Sequence, residues 1–265
     1  MPGSNNQRHV SPSALKPAPF IIQVEKASKS FGRLEAVSGV SFSLPRGKIF
    51  GVVGSDGAGK TTLLRMIATM IKPSSGRIVI EGWDVVKDRI RVKELLGYMP
   101  QRFGLYQDLT VRENFDFFMD IYGIRGPERG KRREYYLGFS NLMPFLKRRA
   151  ADLSGGMRQK LGLACVLVHE PKVLILDEPT NGVDPVSRQE FWDMLLQMKR
   201  QGMTIMVSTA YLDEGEKCDR LLLMHQAKIL DDASPKEIRA NFPNLEEAMI
   251  HRIEEVDEVL ANDEF

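Results

Sequence analysis

At position 54 the pattern of the chain changes in a way that few folds accommodate. An apolar run from Lys48 to Val53 breaks into Gly54-Ser55-Asp56-Gly57-Ala58-Gly59-Lys60-Thr61, after which Leu63, Leu64, Ile67, Met70 and Ile71 recur at helical spacing. The string fits G-x-x-x-x-G-K-[ST] and sits where its mechanism needs it, after a buried strand and at the start of a helix. Glycines let the backbone curl until its N–H groups point inward at phosphate oxygens, and the helix N-terminus adds positive potential. Lys60 then supplies a point charge between β- and γ-phosphates, Thr61 a ligand for Mg²⁺, and Thr62 a further nucleotide contact at the helix start.

A second strand ends in acids. Val173-Leu174-Ile175-Leu176-Asp177-Glu178 delivers two carboxylates at its C-terminal end, the edge at which doubly wound sheets bind ligands. Asp177 is expected to hold the Mg²⁺, directly or through water. Glu178, the next residue, is aimed differently and is expected to polarise the water that attacks the γ-phosphate.

Around these two strings the chain alternates in type. Ile21 to Val24 and Val40 to Leu44 read as half-buried strands of an antiparallel sheet, and Arg77 to Ile80 as another strand. Val92 to Leu96 reads as a short helix before Gly97. From Thr110 to about Glu170 the periodicity is helical, broken by Pro127 and Pro144 into three or four helices. Strand runs return at Val173 to Leu176, Thr204 to Val207 and Leu221 to Met224, separated by helix-length pieces such as Ser187 to Arg200, the crossovers of a parallel sheet. A last helix places Leu245, Met249, Ile253, Val256 and Leu260 on one face and is expected to dock by that stripe.

The string Leu153-Ser154-Gly155-Gly156-Met157-Arg158-Gln159-Lys160 lies 23 residues before Asp177, counted from Ser154. A serine at a helix N-cap followed by two glycines presents a hydroxyl and free amides at a positive helix end, which suits a second phosphate group. One nucleotide on one chain has no use for two such sites.

With this string the sequence resembles the ATP-binding domain of ABC transporters, whose signature reads LSGGQ, and the match runs from about Ile21 to Ala240. The resemblance implies an α/β P-loop NTPase fold: a mostly parallel core sheet, an N-terminal antiparallel β-subdomain and an inserted α-helical subdomain. It divides the chain into a flexible leader over 1–19, an ATP-binding domain over 20–240 with its helical part at about 102–170, and an acidic C-terminal helix or linker over 241–265. In that family two domains dimerise head to tail, each ATP clamped between the P-loop of one and the signature of the other. Carried over to this chain, Phe31 looks like the aromatic that stacks on adenine. Gln101 looks like the glutamine that meets Mg²⁺ and senses the transmembrane partner, and Asp184 like the aspartate of the dimer-contacting loop.

Two residues depart from the family. Asp56 stands where asparagine is common, with a side chain expected to face away from phosphate. After Thr204 to Val207 the family pattern is S-T-H followed by an aromatic or aliphatic residue and D-E-A-E, whereas this chain reads Ser208-Thr209-Ala210-Tyr211-Leu212-Asp213-Glu214-Gly215-Glu216. Alanine thus replaces a histidine that hydrogen-bonds the γ-phosphate in the family. Tight ATP binding with slow hydrolysis at this chain's own P-loop is expected, as in the first half of tandem drug-type export ATPases. The stretch Phe103 to Asn114 and Gly182-Val183-Asp184-Pro185 also resemble drug-type exporters.

Composition adds limits. A net charge of +2 is too small a bias to point to nucleic acid or lipid, and no run approaches the roughly 18 apolar residues of a membrane helix. The first nineteen residues, with four prolines, three serines and no apolar core, make a poor signal peptide. Cys165 and Cys218 lie 53 positions apart in no metal-ligand spacing and read as buried thiols. Residues 245–265 hold eight acids against one arginine, and Arg125 to Arg149 hold eight basic residues against two acidic. The resemblance implies a peripheral place on the cytoplasmic face of the inner or plasma membrane, held by transmembrane permease subunits, with no nucleic-acid partner. Two alternatives remain, a non-hydrolysing ATP-regulated dimerisation module and a soluble ABC protein acting on ribosomes. A GTPase is excluded by the lack of an N-K-x-D guanine-recognition string.

Overall fold

The computed structural model describes residues 19–263, with side chains to residue 257. The expected leader, apart from its last residue, and Leu260 of the C-terminal stripe therefore lie outside the described residues or side chains. The chain opens with β1 (Phe20–Phe31), β2 (Leu34–Pro45), β3 (Ile49–Gly54), α1 (Lys60–Ile67), β4 (Ser75–Ile80) and β5 (Trp83–Asp84). It continues through α2 (Arg89–Leu95), β6 (Leu96–Met99), α3 (Val111–Ile121), α4 (Pro127–Phe139) and α5 (Gly155–Leu167). Next come β7 (Val173–Asp177), α6 (Pro185–Arg200), β8 (Thr204–Ser208), α7 (Leu212–Gly215) and β9 (Arg220–His225). It closes with β10 (Lys228–Ala233), α8 (Pro235–Ile238) and α9 (Leu245–Asp263).

Two sheets result. One is antiparallel in the order β2-β1-β4-β5; the other runs β10-β9-β3-β8-β7-β6, parallel except for the β9–β10 hairpin. Every residue of β7 and β8 is buried, as in a parallel sheet covered on both faces. On one face Val52, Ile175 and Met206 pack with Leu63 and Ile67 of α1 and with Ile22 and Phe42 of the antiparallel sheet. On the other, Leu174, Leu176 and Val207 meet Phe191, Trp192 and Leu195 of α6. Each such fully buried aliphatic side chain contributes about 1.5–3 kcal/mol. A third cluster, Val111, Phe115, Met119, Leu137, Leu161 and Cys165, holds α3, α4 and α5 together.

The helical stretch follows its local chemistry. Thr110 and Glu113 form a reciprocal capping box at the start of α3. Pro127 opens α4 at its first turn, where the missing N–H is not needed. Fully buried Asn114 donates to the carbonyls of Tyr106, Leu109 and Thr110 and accepts the Tyr106 N–H, which ties the preceding loop to α3. Several arginines of the basic run are paired with acids of the same subdomain: Arg133 bonds Asp116 at 3.0 Å, Arg132 bonds Glu170 at 3.1 Å, and Arg129 pairs with Asp120.

Several expectations are corrected. Leu96 does not end a helix; α2 stops at Leu95 and Leu96 turns extended (φ −111°, ψ 135°) to begin β6, a four-residue edge strand paired in parallel with β7. Four residues are too few to show alternation, and pairing with β7 overrides the helical spacing before them. β10 pairs with β9 where no strand was expected. The expected crossover helix between Val207 and Leu221 is the single turn α7. β1 and β2 extend well beyond their buried halves, because the two strands stay paired, through several register shifts, down to Phe31↔Leu34. On α9, Leu245, Ala248 and Met249 are buried, and Ile253 and Val256 half-buried, so the stripe docks as expected over its described length. Both cysteines are buried and free. Among the described residues no helix is long and apolar enough to cross a membrane.

Candidate functional site

One edge of the parallel sheet gathers most of the expected groups. The glycine loop leaves the end of β3, Gln101 follows β6, Asp177 ends β7, and Ser208 ends β8. Because these strands are neighbours, residues more than 100 positions apart in sequence share one cavity of about 520 Å³. Its walls include Asp56, Gly57, Ala58, Gly59, Lys60, Thr61 and Thr62 on one side and Gln101 and Glu178 on the other. Phe31, half exposed at the tip of the β1–β2 hairpin, closes one end with Leu34 and Ala36. A core role for Phe31 is thereby set aside, and Lys29 lies 5.0 Å over its ring.

The loop's conformation is dictated by close approach. Gly54 has φ +150° and any Cβ there would lie 2.0 Å from the Met224 carbonyl oxygen on β9. Gly54→Ala is expected to cost about 1–3 kcal/mol and to open the loop, seen as a lower melting temperature together with lost nucleotide binding. Gly54 and Ser55 form the base of the loop: their carbonyls accept the buried Lys60 ammonium at 2.9 and 3.0 Å. Asp56 is exposed and stands in the cavity wall, so the expectation that it faces away from phosphate gains no support here.

Behind the cavity-lining Thr61, the fully buried Asp177 Oδ1 accepts hydrogen bonds from Thr61 Oγ1 and Ser208 Oγ, each at 2.9 Å. The Tyr98 hydroxyl lies 3.5 Å from the other oxygen, and burial raises that phenol's pKa. Glu178 sits in the left-handed region at φ 48°, which turns its side chain out of the strand direction. Its Oε2 accepts from Gln101 Nε2 at 2.8 Å and Asn181 Nδ2 at 3.2 Å, and its Oε1 is 3.9 Å from Lys60 Nζ. Thr61 and Asp177 present hard oxygen donors of the kind Mg²⁺ takes, with Gln101 facing Glu178 beside them. Among the described residues no three His, Cys, Asp or Glu side chains cluster to hold a metal by themselves. That fits a metal whose remaining ligands are phosphate oxygens and water.

Ser154, Gly155, Gly156 and Asp184 are not part of this cavity. Ser154 caps α5, its Oγ accepting the Met157 N–H at 3.3 Å, and Asp184 caps α6, its Oδ1 accepting the Ser187 N–H at 2.9 Å. That N–H holds the Asp184 carboxyl below its ordinary value. Ser154, Gly155 and Asp184 are exposed. The two glycines play different parts. A Cβ on Gly156 would lie 2.3 Å from Ser187 Cβ, so α5 and α6 meet only because it is glycine, whereas Gly155 faces open space. Gly155 instead borders a separate cleft of about 320 Å³ with Arg158, Asn181 and Gly182, a cleft that Gln101 also lines. Leu34 and Ala36 in the cavity wall, and Ser208 buried behind it, carry no sequence signal for this site. Ser208 stands in the Ser208-Thr209 string, but only strand adjacency reveals its bond to Asp177.

Comparison with known proteins agrees with this geometry. Residues 37–181 match the family described as ABC transporter. The chain is 47% identical over 218 residues to the probable multidrug ABC transporter ATP-binding protein YbhF of Escherichia coli (strain K12), covering 82% of this chain but only 38% of YbhF. It is 35% identical over 211 residues to the linearmycin resistance ATP-binding protein LnrL of Bacillus subtilis (strain 168), covering 79% of this chain and 68% of LnrL. A solved structure described as the ATP binding subunit of an ABC transporter superposes with a TM-score of 0.78 at 26% identity, covering 88% of this chain and 99% of that one.

Proposed function

Because the chain belongs to the ATP-binding family of ABC transporters, we propose that it is the ATP-binding subunit, or one ATP-binding half, of an export transporter. It would act by ATP-driven head-to-tail pairing with a second such domain. The observation that carries this reading is the separation of the two anion-binding turns. The glycine loop lines a cavity with its own acids, while Ser154 and Gly155 stand exposed at the start of α5 and outside that cavity. A turn of this chemistry, turned to solvent, serves a nucleotide held by another domain.

Within its own cavity each residue has a distinct role. Phe31 stacks on the base, the loop amides and Lys60 hold the phosphates, and Thr61 with Asp177 hold the metal. Bound Mg²⁺ would neutralise charge on the β- and γ-phosphate oxygens. Glu178, strained out of the strand and steadied by Gln101, takes the proton side of the attacking water. Ala210 is exposed, follows Thr209 in the loop after β8, and has no side-chain donor for the γ-phosphate. Hydrolysis at this P-loop is therefore slow while binding persists, and the paired site, using this chain's Ser154 to Gly156, does most of the turnover.

Energy would pass to a permease at the cytoplasmic face of the membrane. A mostly apolar groove of about 590 Å³, lined by Met70, Ile71, Leu96, Tyr98 and Tyr122 with Arg65 and Lys93 at its rim, runs up to Pro100 beside Gln101. It suits an apolar segment of a membrane subunit, and Gln101 links it to Glu178. The names of the relatives, multidrug and linearmycin resistance, support export as the direction. In this reading the ATP-binding unit spans 20–240, its helical part about 102–170, with an acidic C-terminal helix beyond.

Gly155→Asp tests the pairing. A Cβ at this position meets nothing within 4 Å, so the melting temperature and the chain's own ATP affinity should stay unchanged. ATP-dependent association, followed by light scattering, and turnover with the second domain should fall by at least about tenfold, since a like charge would face the partner's γ-phosphate. Unchanged association would remove the pairing from this account.

A further inference from the structure

We propose that the buried carboxylate of Glu214 is a positioning group that carries nucleotide engagement at Asp177 and Glu178 to the loop bearing Ala210. The inference rests on the ATP-site reading above. Glu214 is fully buried, yet neither it nor its hydroxyl partners line the nucleotide cavity. One carboxylate oxygen accepts Thr180 Oγ1 at 2.7 Å and the other accepts Thr209 Oγ1 at 2.6 Å. Arg188 Nε lies 3.8 Å from the first oxygen, and the same guanidinium bonds Asp213 at 3.1 Å and stacks 4.4 Å over the Tyr211 ring.

A carboxylate in the interior survives only where partners replace its water, and short charge-assisted bonds of this kind are among the stronger polar contacts. Its partners come from two different loops. Thr180 is two residues beyond Glu178, and Thr209 immediately precedes Ala210. Thr209 Oγ1 in turn accepts the Tyr211 N–H at 3.0 Å, and the amides of Glu214 and Gly215 donate to the Tyr211 carbonyl. The loop after β8 is thus folded around Glu214 and fastened through it to the loop after β7. Alanine at 210 gives that position no side-chain donor to a phosphate, so the bonded path through the protein is the route proposed for movement of the Glu178 loop. Ser208, bonded to both Asp177 and the Glu178 N–H, offers a second route, but it ends within β8.

Amide hydrogen exchange of the full chain with and without Mg-ATP separates these routes, using Thr180→Val, Thr180→Ser and Thr209→Val. In the unaltered chain ATP should slow exchange at residues 54–62 and also at 211–216. Thr180→Val should keep the slowing at 54–62 and lose it at 211–216. Thr180→Ser, which keeps the hydroxyl, should restore it, and Thr209→Val should repeat the loss from the other side. Slowing at 211–216 that persists in both valine variants would assign the transmission to Ser208 and overturn the proposal. Loss at 54–62 in both would make Glu214 a folding group only, and overturn it equally. No slowing at 54–62 in the unaltered chain would instead overturn the ATP-site reading, and the coupling with it.

Discussion

Replacing Ala210 with histidine is expected to raise ATP turnover at this chain's own glycine loop by about 10²–10³-fold, the usual effect of one preorganised donor at a transition state that gathers charge. Ala210 is exposed just beyond buried Thr209, so an imidazole adds no volume to the core. Ground-state ATP affinity should move little, because in the proposed reading Lys60, the loop amides and Thr61 hold the phosphates without it. The measurement is single-turnover hydrolysis by the chain paired with a second ATP-binding domain, with binding followed in parallel. A rate left where it was would show that Ala210 is not what limits the site.

The second large effect is a loss. Glu178→Gln in the Ala210→His background should lower the restored rate by about 10²–10⁴-fold, the range for removing a positioned general base. The side chain keeps its volume, and an amide oxygen can still accept from Gln101 and Asn181, which now donate at 2.8 and 3.2 Å. Folding and ATP affinity should therefore be retained while the chemical step fails. This pair of variants also tests the alternative in which ATP only locks two domains together. In that case neither substitution would change a rate.

Much of this site was legible because its chemistry is local. The glycine loop, the acid pair after Leu176 and the serine-glycine turn each depend on backbone shape and helix-end polarity within a few residues. Their spacing in the chain carries that information directly. Phe31 and Gln101 were legible only through resemblance, for nothing in the neighbouring residues says that a hairpin tip or an edge strand will reach the cavity. The structure supplied the reasons: β6 exists because β7 offers it a partner, and it sets Gln101 two residues past the same sheet edge as Asp177.

What the amino-acid order indicated by itself was the kind of chemistry to expect: two turns suited to phosphate and a strand-end acid pair suited to a metal and a water, while the histidine replaced by Ala210 came only from the resemblance. The tertiary structure decided which of these can act together. Gly155 and Gly156 are identical in the sequence, yet one lets α5 approach α6 and the other is left facing outward. Glu214 looks like any acid on a polar helix turn, yet folding buries it between two loops that are 29 residues apart at Thr180 and Thr209. Sequence spacing encodes helix faces and turns, which are set by neighbouring dihedral angles. The meeting of distant strand ends is set by sheet order and by packing, and exists only once the whole chain has folded.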